Sequence, residues 1–340
     1  MCSARRHVRF TPKSGHAVFN EGADGSMPRQ RASLPHDTIP VGGTQVTPDR
    51  INWSWRDRAV VLGIETLGKG PVLLLLPALS SISTRAEMRP LAEQFAADFT
   101  TIAVDWPCFG DRPRPAVAWE PDAYRAYLAH ILEQLSKPVA TFAAGHAAGY
   151  LIGHVAEHPG SAGRLCLIAP TWRGPLPTMM GGRRVAFRYV SRLADMPLIG
   201  SAFYRLNVNR PMIRMMGRGH VYSDPRWLDA RRLTEKLAVT EAPGARHASF
   251  RFVAGELDPM ASQDAFLAAA RKLNDPILVV YGAETPTRSK AEMETLCRLP
   301  NVQSRELPAG KLAVHEEFPA LVADAVRPFL RVAGGRSDQV

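Results

Sequence analysis

The chain has 340 residues, of which 46% are hydrophobic and 22% charged, and a formal net charge of +10. This composition allows a sizeable buried core and excludes the disordered, collagen-like and disulfide-scaffold classes of protein. The longest apolar runs, such as Val72–Leu76, are far shorter than the roughly 20 residues of a bilayer-spanning helix, so no transmembrane segment is predicted.

The cysteines and the N-terminal residues bear on the cellular compartment. Four cysteines are scattered along the chain without the spacing of metal ligands or of a disulfide framework. The N-terminal residues are basic, but they contain no apolar stretch of the kind that forms a secretory signal. We therefore expect a cytoplasmic protein that contains no metal.

Residues 1–45 mix glycine, serine, proline and charge without apolar periodicity. Such a composition predicts a disordered tail rather than a packed element. We hypothesise that residues 1–26, which precede Met27, are an inessential extension. Their deletion should leave folding and melting temperature unchanged.

From residue 51 onward, short apolar runs alternate with stretches of helical periodicity, which predicts a mainly parallel sheet covered by helices. The first two runs are typical of an antiparallel hairpin, and the third, a continuous apolar run, is expected at the centre of the sheet. The predicted strands are Ile51–Arg56, Ala59–Leu67, Val72–Leu76, Thr101–Asp105, Val139–Ala144, Leu165–Ala169, Ile277–Tyr281 and Val302–Leu307.

The predicted helices include 84–99, which begins with Thr84 and Glu87 as a capping box, and 122–135. About 100 residues separate the sixth and seventh strands, and their helical periodicity predicts an inserted helical cap. The chain is thereby divided into a first core part (46–170), a helical cap (171–265) and a second core part (266–334).

The positive charge is concentrated in the predicted cap. Residues 173–220 contain nine arginines and one acidic residue, Asp195. A concentrated basic surface is typical of proteins that bind an anionic ligand, an acidic partner or a membrane. A methionine and aromatic stripe in the same stretch is interpreted as the underside of a lid packed on the core and suited to an apolar ligand. It comprises Met179, Met180, Phe187, Tyr189, Phe203, Tyr204, Met212, Met215 and Met216.

A glycine-rich turn follows the fifth predicted strand: Gly145-His146-Ala147-Ala148-Gly149. Two glycines at this spacing permit a tight bend between a strand and a helix. The loop after the third strand is Pro77-Ala78-Leu79-Ser80-Ser81, and the fourth strand ends in Asp105-Trp106-Pro107-Cys108-Phe109-Gly110. A glutamate, Glu284, follows the seventh strand, and His315 precedes the last helix.

On these motifs the chain, from about Ile51 to Leu330, resembles the α/β-hydrolase superfamily. The resemblance implies an α/β-hydrolase fold with an eight-stranded, mainly parallel sheet and a helical cap inserted after strand six. It also implies a nucleophile at the centre of the turn, and there the sequence has Ala147. A methyl group cannot attack a carbonyl, so acyl-serine chemistry is excluded at that position.

The remaining site residues are also implied by the resemblance. His315 is the expected general base, oriented by Glu284, with Asp258 as the rival acid. The amides of Ala148 and of Ala78 or Leu79 would form the oxyanion hole. Cys108 is an alternative nucleophile, although an inert loop cysteine is the favoured interpretation.

Three hypotheses of function follow. The first is an enzyme without a serine nucleophile, in which His315 and the oxyanion hole act on a small lipophilic or anionic substrate. The second is an inactive pseudo-hydrolase that binds a ligand or a protein. The third is peripheral membrane contact through the basic cap. No cofactor or metal and no nucleic acid are expected, because neither a dinucleotide fingerprint nor a groove-reading helix is present.

Overall fold

The computed structural model describes residues 49–135 and 137–331, and eight strands form its central sheet, in the order β1-β2-β4-β3-β5-β6-β7-β8. The strands are β1 (Arg50–Trp55), β2 (Arg58–Leu67), β3 (Val72–Leu76), β4 (Thr100–Val104), β5 (Ala140–Ala144), β6 (Arg164–Ile168), β7 (Ile277–Gly282) and β8 (Val302–Leu307). Strand β2 is antiparallel to β1 and β4, whereas all other neighbours are parallel. The predicted mainly parallel eight-stranded sheet is confirmed.

The apolar patterns explain this sheet. All five residues of β3 are buried, as expected for a continuous apolar run between two parallel neighbours, β4 and β5. Strands β1 and β2 form the predicted hairpin, joined by Arg56 and Asp57, which both have positive φ. Two such residues are typical of a type I′ turn, whose twist matches that of the strands.

Helices cover both faces of the sheet. Helices α2 (Pro121–Gln134), α3 (Ala147–Glu157), α10 (Gln263–Arg271) and α11 (Thr287–Cys297) pack on one face. On the other face lie α1 (Arg89–Phe95), which follows a 3₁₀ turn (Arg85–Met88), and α13 (Pro319–Arg331), which follows the short α12 (Val314–Glu317). The two apolar clusters on either side of the sheet make up the main core.

Between β6 and β7 the chain forms a run of further helices. They are α4 (Pro175–Met179), α5 (Phe187–Asp195), α6 (Ile199–Asn207), α7 (Arg210–Met216) with a π-helical turn (Gly217–Val221), α8 (Ala230–Glu241) and α9 (Ala245–Ala254). Within the described part of the chain, no helix is long and apolar enough to cross a bilayer.

The methionine and aromatic stripe of this region does not form a packed underside. Tyr204 is buried, but Met179, Met180, Tyr189 and Met215 are exposed. The interpretation of the whole stripe as one inward face is therefore wrong, because four of its nine side chains are exposed. The predictions for residues 1–45, including the extension 1–26, lie outside the described residues.

Candidate functional site

The turn between β5 and α3 is centred on Gly145. This residue has φ +51°, in the left-handed region, while His146 already has helical angles (φ −69°, ψ −21°). The Gly145 amide donates to the carbonyl of Ile168, and its carbonyl accepts from the amide of Thr171. In this class of strand-to-helix turn, the strained residue carries the nucleophile. Gly145 has no side chain beyond hydrogen.

Ala147 does not occupy the centre of the turn. It is the first residue of α3 and is fully buried, whereas Gly145 is partly exposed. A β-carbon built on Gly145 would lie 3.4 Å from the β-carbon of Ala78, so a side chain there would face the loop after β3 at ordinary contact distance. The strained backbone thus lies at Gly145, two residues earlier than the glycine spacing indicates, whereas Ala147 lies within α3.

The loop after β3 contacts a buried carboxylate. The amide of Ala78 donates to Oε1 of Glu87 at 2.7 Å, and Glu87 is 5% exposed. Burial alone would raise the pKa of the Glu87 carboxyl, but the neighbouring His315 and Lys236 lower it, and the net shift is downward. Glu87 is therefore a carboxylate at neutral pH.

His315 lies beside the same carboxylate. Its Nε2 atom is 3.5 Å from Oε1 of Glu87, and the imidazole is almost fully buried on α12. Neither ring nitrogen makes a well-aligned hydrogen bond with the described residues. One carboxylate oxygen of Glu87 thus contacts both the Ala78 amide and the histidine.

A second buried ion pair extends this cluster into α8. Nζ of Lys236 lies 2.8 Å from Oε1 of Glu316, and the hydroxyl of Tyr222 donates to Oε2 of Glu316 at 2.9 Å. Burial lowers the pKa of the Lys236 ammonium, but the neighbouring Glu316, Tyr222 and Glu87 together raise it by a larger amount, so the net shift is upward. Together with Glu87 and His315, these three residues form one buried ionic cluster.

The predicted oxyanion donors are arranged differently. The Ala78 amide is bonded to Glu87, and the Ala148 amide donates to the Gly145 carbonyl at 3.3 Å, within the turn itself. Leu79 is 1% exposed. With Gly145 at the turn, the amide that follows the nucleophile position is that of His146. In that register the amide of His146 takes the place of the predicted amide of Ala148.

The two predicted acids are not the partner of His315. Glu284 is exposed, and no described residue forms an ion pair with it. Asp258 is buried, accepts from the Gly174 amide at 2.7 Å and pairs with Arg183. Burial raises the pKa of the Asp258 carboxyl. The acid beside His315 is Glu87, because the 3₁₀ turn before α1 packs on α12.

His146 packs against the loop that contains Asp258. Its Nε2 atom is 3.1 Å from the carbonyl of Leu257 and 3.5 Å from Oδ1 of Asp258. The ring is fully buried, and burial lowers the pKa of the imidazole. This side chain joins the β5 turn to the loop before α10.

Cys108 lies in the turn after β4, with φ +59° and 2% exposure. Burial raises the pKa of the thiol to about 12. A nucleophilic cysteine requires a thiolate in an accessible, electropositive setting. Its burial and the raised pKa of its thiol therefore disfavour Cys108 as the alternative nucleophile.

Sequence reasoning assigned Glu87 to a helix cap and so missed its role in the site. The structure shows that Oγ1 of Thr84 accepts from the amide of Ala86, while Glu87 turns inward. One signal was present: Glu87 lies four and eight residues before Leu91 and Phe95, both buried. A carboxylate on an apolar helical stripe is expected to be buried and paired.

Comparisons with known proteins agree with this fold. The model of the family described as "Alpha/beta hydrolase family" matches residues 73–325. A comparison with curated proteins finds no match.

Several solved structures share the fold. A thermophilic esterase from Thermogutta terrifontis is 18% identical, with a TM-score of 0.65 over 84% of this chain and 99% of that chain. A bromoperoxidase from Bacillus anthracis is 14% identical, with a TM-score of 0.61 over 83% and 99%. A haloalkane dehalogenase from Agrobacterium tumefaciens is 13% identical, with a TM-score of 0.61 over 83% and 96%. At these identities the likeness concerns the fold alone.

Proposed function

This chain belongs to the α/β-hydrolase family, and on that premise we propose that it binds a small anionic molecule without forming an acyl-enzyme. The observation that carries the proposal is Gly145 at the strained turn after β5. Acyl transfer in this fold starts with a side-chain nucleophile at that turn. A glycine supplies none, and the next two side chains of the motif, those of His146 and Ala147, are buried.

The state of the Ala78 amide gives a second argument. When a serine protease loses its nucleophile, about 10³ to 10⁴ of rate enhancement remains, from the oxyanion hole and substrate binding. Here Glu87 holds the Ala78 amide at 2.7 Å. A negative carboxylate beside an oxyanion position opposes a second negative charge. This arrangement disfavours even the residual activity.

The proposed ligand site is a cavity away from the β5 turn. It measures about 680 Å³, within the range of small-molecule pockets. It lies among helices α6–α9, which we propose act as a cap. Its lining includes three arginines, Arg205, Arg210 and Arg246, and one acid, Glu241, together with apolar side chains.

Arg246 carries the argument for an anion. Its Nη1 donates to Oγ of Ser201 at 2.6 Å, so a hydroxyl rather than a carboxylate holds the guanidinium. Its Nε is buried, and no described residue accepts from it. A guanidinium held by a hydroxyl and not by a carboxylate keeps its charge for the oxygens of a phosphate. We therefore propose a phosphate-bearing small molecule as the ligand class.

The absence of acyl chemistry is tested with the wild-type protein on p-nitrophenyl esters of increasing chain length and with a fluorophosphonate probe. We expect no turnover above buffer and no labelled residue, with His315→Ala indistinguishable from wild type. Turnover that His315→Ala abolishes would reject the proposal.

Ligand binding is tested by calorimetry with inorganic phosphate and octyl phosphate. Loss of a charge-assisted contact of roughly 1.5–3 kcal/mol predicts at least a tenfold weaker Kd for Arg246→Gln. Arg231→Gln is the matched control, because Arg231 is exposed on α8 outside the cavity lining. Equal Kd values for Arg246→Gln and Arg231→Gln would show that the ligand binds outside this cavity.

The pairing of His315 with Glu87 favours a second candidate function. A buried carboxylate lies 3.5 Å from Nε2 of the imidazole, and Nδ1 has no hydrogen-bond partner among the described residues. Such a pair can act as a general base on a substrate proton or a water molecule. A bell-shaped pH–rate profile on any substrate, lost in Glu87→Gln and in His315→Ala alike, would favour this candidate over simple binding.

A further inference from the structure

Large apolar side chains are exposed mainly in one segment, residues 179–215, called the docking segment below. Elsewhere in the described chain, the exposed large apolar residues are Val61 and Val139, each 39% exposed. The docking segment exposes Met179, Met180, Val185, Tyr189, Met196, Leu198, Ile199, Leu206 and Met215. Apolar exposure on this scale in a short segment is typical of an interaction surface.

The same segment is strongly cationic. It contains seven arginines and one acid, Asp195, whose carboxylate is already paired with His247 and Arg251. Arg183 pairs with Asp258. The other six arginines form no ion pair with any described residue: Arg184, Arg188, Arg192, Arg205, Arg210 and Arg214. Arg205 and Arg210 line the proposed ligand cavity, and the charge of the other four is therefore available to an anionic partner.

An apolar tip joins α5 to α6. Leu198 is 87% exposed and has φ +60° and ψ −61°, a strained conformation for a residue with a β-carbon. Its neighbour Ile199 is 53% exposed. Gly200 allows the close approach of the two helices, because a β-carbon there would lie 2.1 Å from the carbonyl oxygen of Ala194. The tip is thus held out from the protein with its apolar side chains in solvent.

Helix α5 packs one face against the protein and exposes the other. Its inward side is fixed by small residues: Ala194 is buried, and Ser191 donates to Oε1 of Glu256 at 2.6 Å. Tyr189 is 57% exposed, with the guanidinium carbons of Arg188 and Arg192 5.7 and 5.8 Å from its ring centroid. An aromatic ring flanked by arginines suits the boundary between lipid headgroups and acyl chains.

We propose that the docking segment binds the surface of an anionic lipid bilayer, with Leu198 and Ile199 inserted at the headgroup level and the unpaired arginines on lipid phosphates. One face of a bilayer can accept both contacts at the same time: apolar side chains insert among the headgroups, and arginines bind the lipid phosphates. Charge complementarity selects this occupant over a second copy of the chain, since an isologous contact would bring the same arginines together. The proposal does not depend on the function of the β5 site.

The test is sedimentation of the full chain with vesicles of phosphatidylcholine, with and without phosphatidylglycerol. We expect binding to the anionic vesicles only, weakening as salt rises. Leu198→Ser/Ile199→Ser should reduce the partition coefficient at least tenfold. Arg188→Gln/Arg192→Gln should reduce it about thirtyfold at low salt.

Matched controls separate this surface from general basicity. Val61→Ser/Val139→Ser removes exposed apolar side chains elsewhere, and Arg50→Gln/Arg58→Gln removes two exposed charges outside the segment. Both controls should bind as wild type does, and melting curves confirm that every variant is folded. Absence of wild-type binding at low salt, or equal losses in variants and controls, would overturn the proposal. So would a dimer in solution that Leu198→Ser/Ile199→Ser dissociates, because a second copy would then be the occupant.

Discussion

The amide of Ala78 donates to Oε1 of Glu87 at 2.7 Å, where an enzyme of this fold would bind the oxygen of its substrate. The same carboxylate oxygen lies 3.5 Å from Nε2 of His315. An internal anion therefore joins the loop after β3 to the histidine of α12. Together with Gly145 at the turn, this arrangement supports our proposal that the site is a structural junction rather than an acyl-transfer centre.

Glu87→Gln should destabilise the protein at neutral pH by about 3–5 kcal/mol, because it leaves Lys236 and His315 beside an uncharged group. The pKa of Glu87 is lowered in the folded state, so its stabilisation is present above the unfolded pKa and is lost as pH falls through the folded value. Urea unfolding of both proteins from neutral to acidic pH checks this. The difference should shrink below about pH 4.5; a constant difference would show that Glu87 contributes only through packing.

The Lys236–Glu316 pair should fix α8 to α12. Lys236→Ala leaves Glu316 buried with only the Tyr222 hydroxyl as a partner, and we expect a loss of about 3–5 kcal/mol. Lys236→Met/Glu316→Leu removes both charges and should recover most of that stability. Chemical denaturation of the wild type and both variants measures the effect. A double variant less stable than Lys236→Ala would contradict this prediction, because the pair would then contribute more than the contact between its two charges.

Cys108 should be inert in the folded protein. Burial raises the pKa of its thiol to about 12, so almost no thiolate is present at pH 8. We expect iodoacetamide to leave Cys108 unmodified in native conditions and to alkylate it in urea, as peptide mapping by mass spectrometry would reveal. Native alkylation of Cys108 would restore it as a candidate nucleophile.

Two glycines of α3 provide a packing test. A β-carbon on Gly149 would lie 2.5 Å from Cγ of Pro259, a rigid ring, whereas one on Gly153 would meet the flexible end of Met260 at 3.1 Å. Gly149→Ala should therefore lose about 1–3 kcal/mol. Gly153→Ala should lose nothing, because alanine favours the helix by about 0.5–1 kcal/mol. Equal effects on the melting temperature would contradict this account of the Gly149–Pro259 contact.

The fold could be predicted because each strand is a local apolar run. The run Val72–Leu76 and its parallel neighbours need no distant information to be recognised, and the observed bounds differ from the predicted ones by at most two residues. The hairpin at Arg56 and Asp57 followed from the spacing of the first two runs.

The site could not be predicted to the same depth, for two physical reasons. Small residues recur at the same spacing in two registers, Ala143 with Ala147 and Gly145 with Gly149, and only the backbone angle of Gly145 decides between them. The contact between Glu87 and His315 depends on tertiary packing between segments far apart in the sequence. The local capping pattern therefore explained the glutamate at position 87 without a buried contact, and that explanation was wrong.

The central claim, that the nucleophile position is Gly145, is tested by adding the missing hydroxyl at each candidate position. Gly145→Ser places a side chain towards Ala78, and Gly145→Ala measures the strain of a β-carbon at φ +51°, about 1–2 kcal/mol. Glu87→Ala, combined with either serine variant, frees the Ala78 amide.

The measurement is covalent labelling by a fluorophosphonate probe, located by mass spectrometry, in Gly145→Ser/Glu87→Ala and in Ala147→Ser/Glu87→Ala. The account predicts label at position 145 in the first variant and none at position 147 in the second, since Ala147 is fully buried. Label at position 147 with none at position 145 would contradict it.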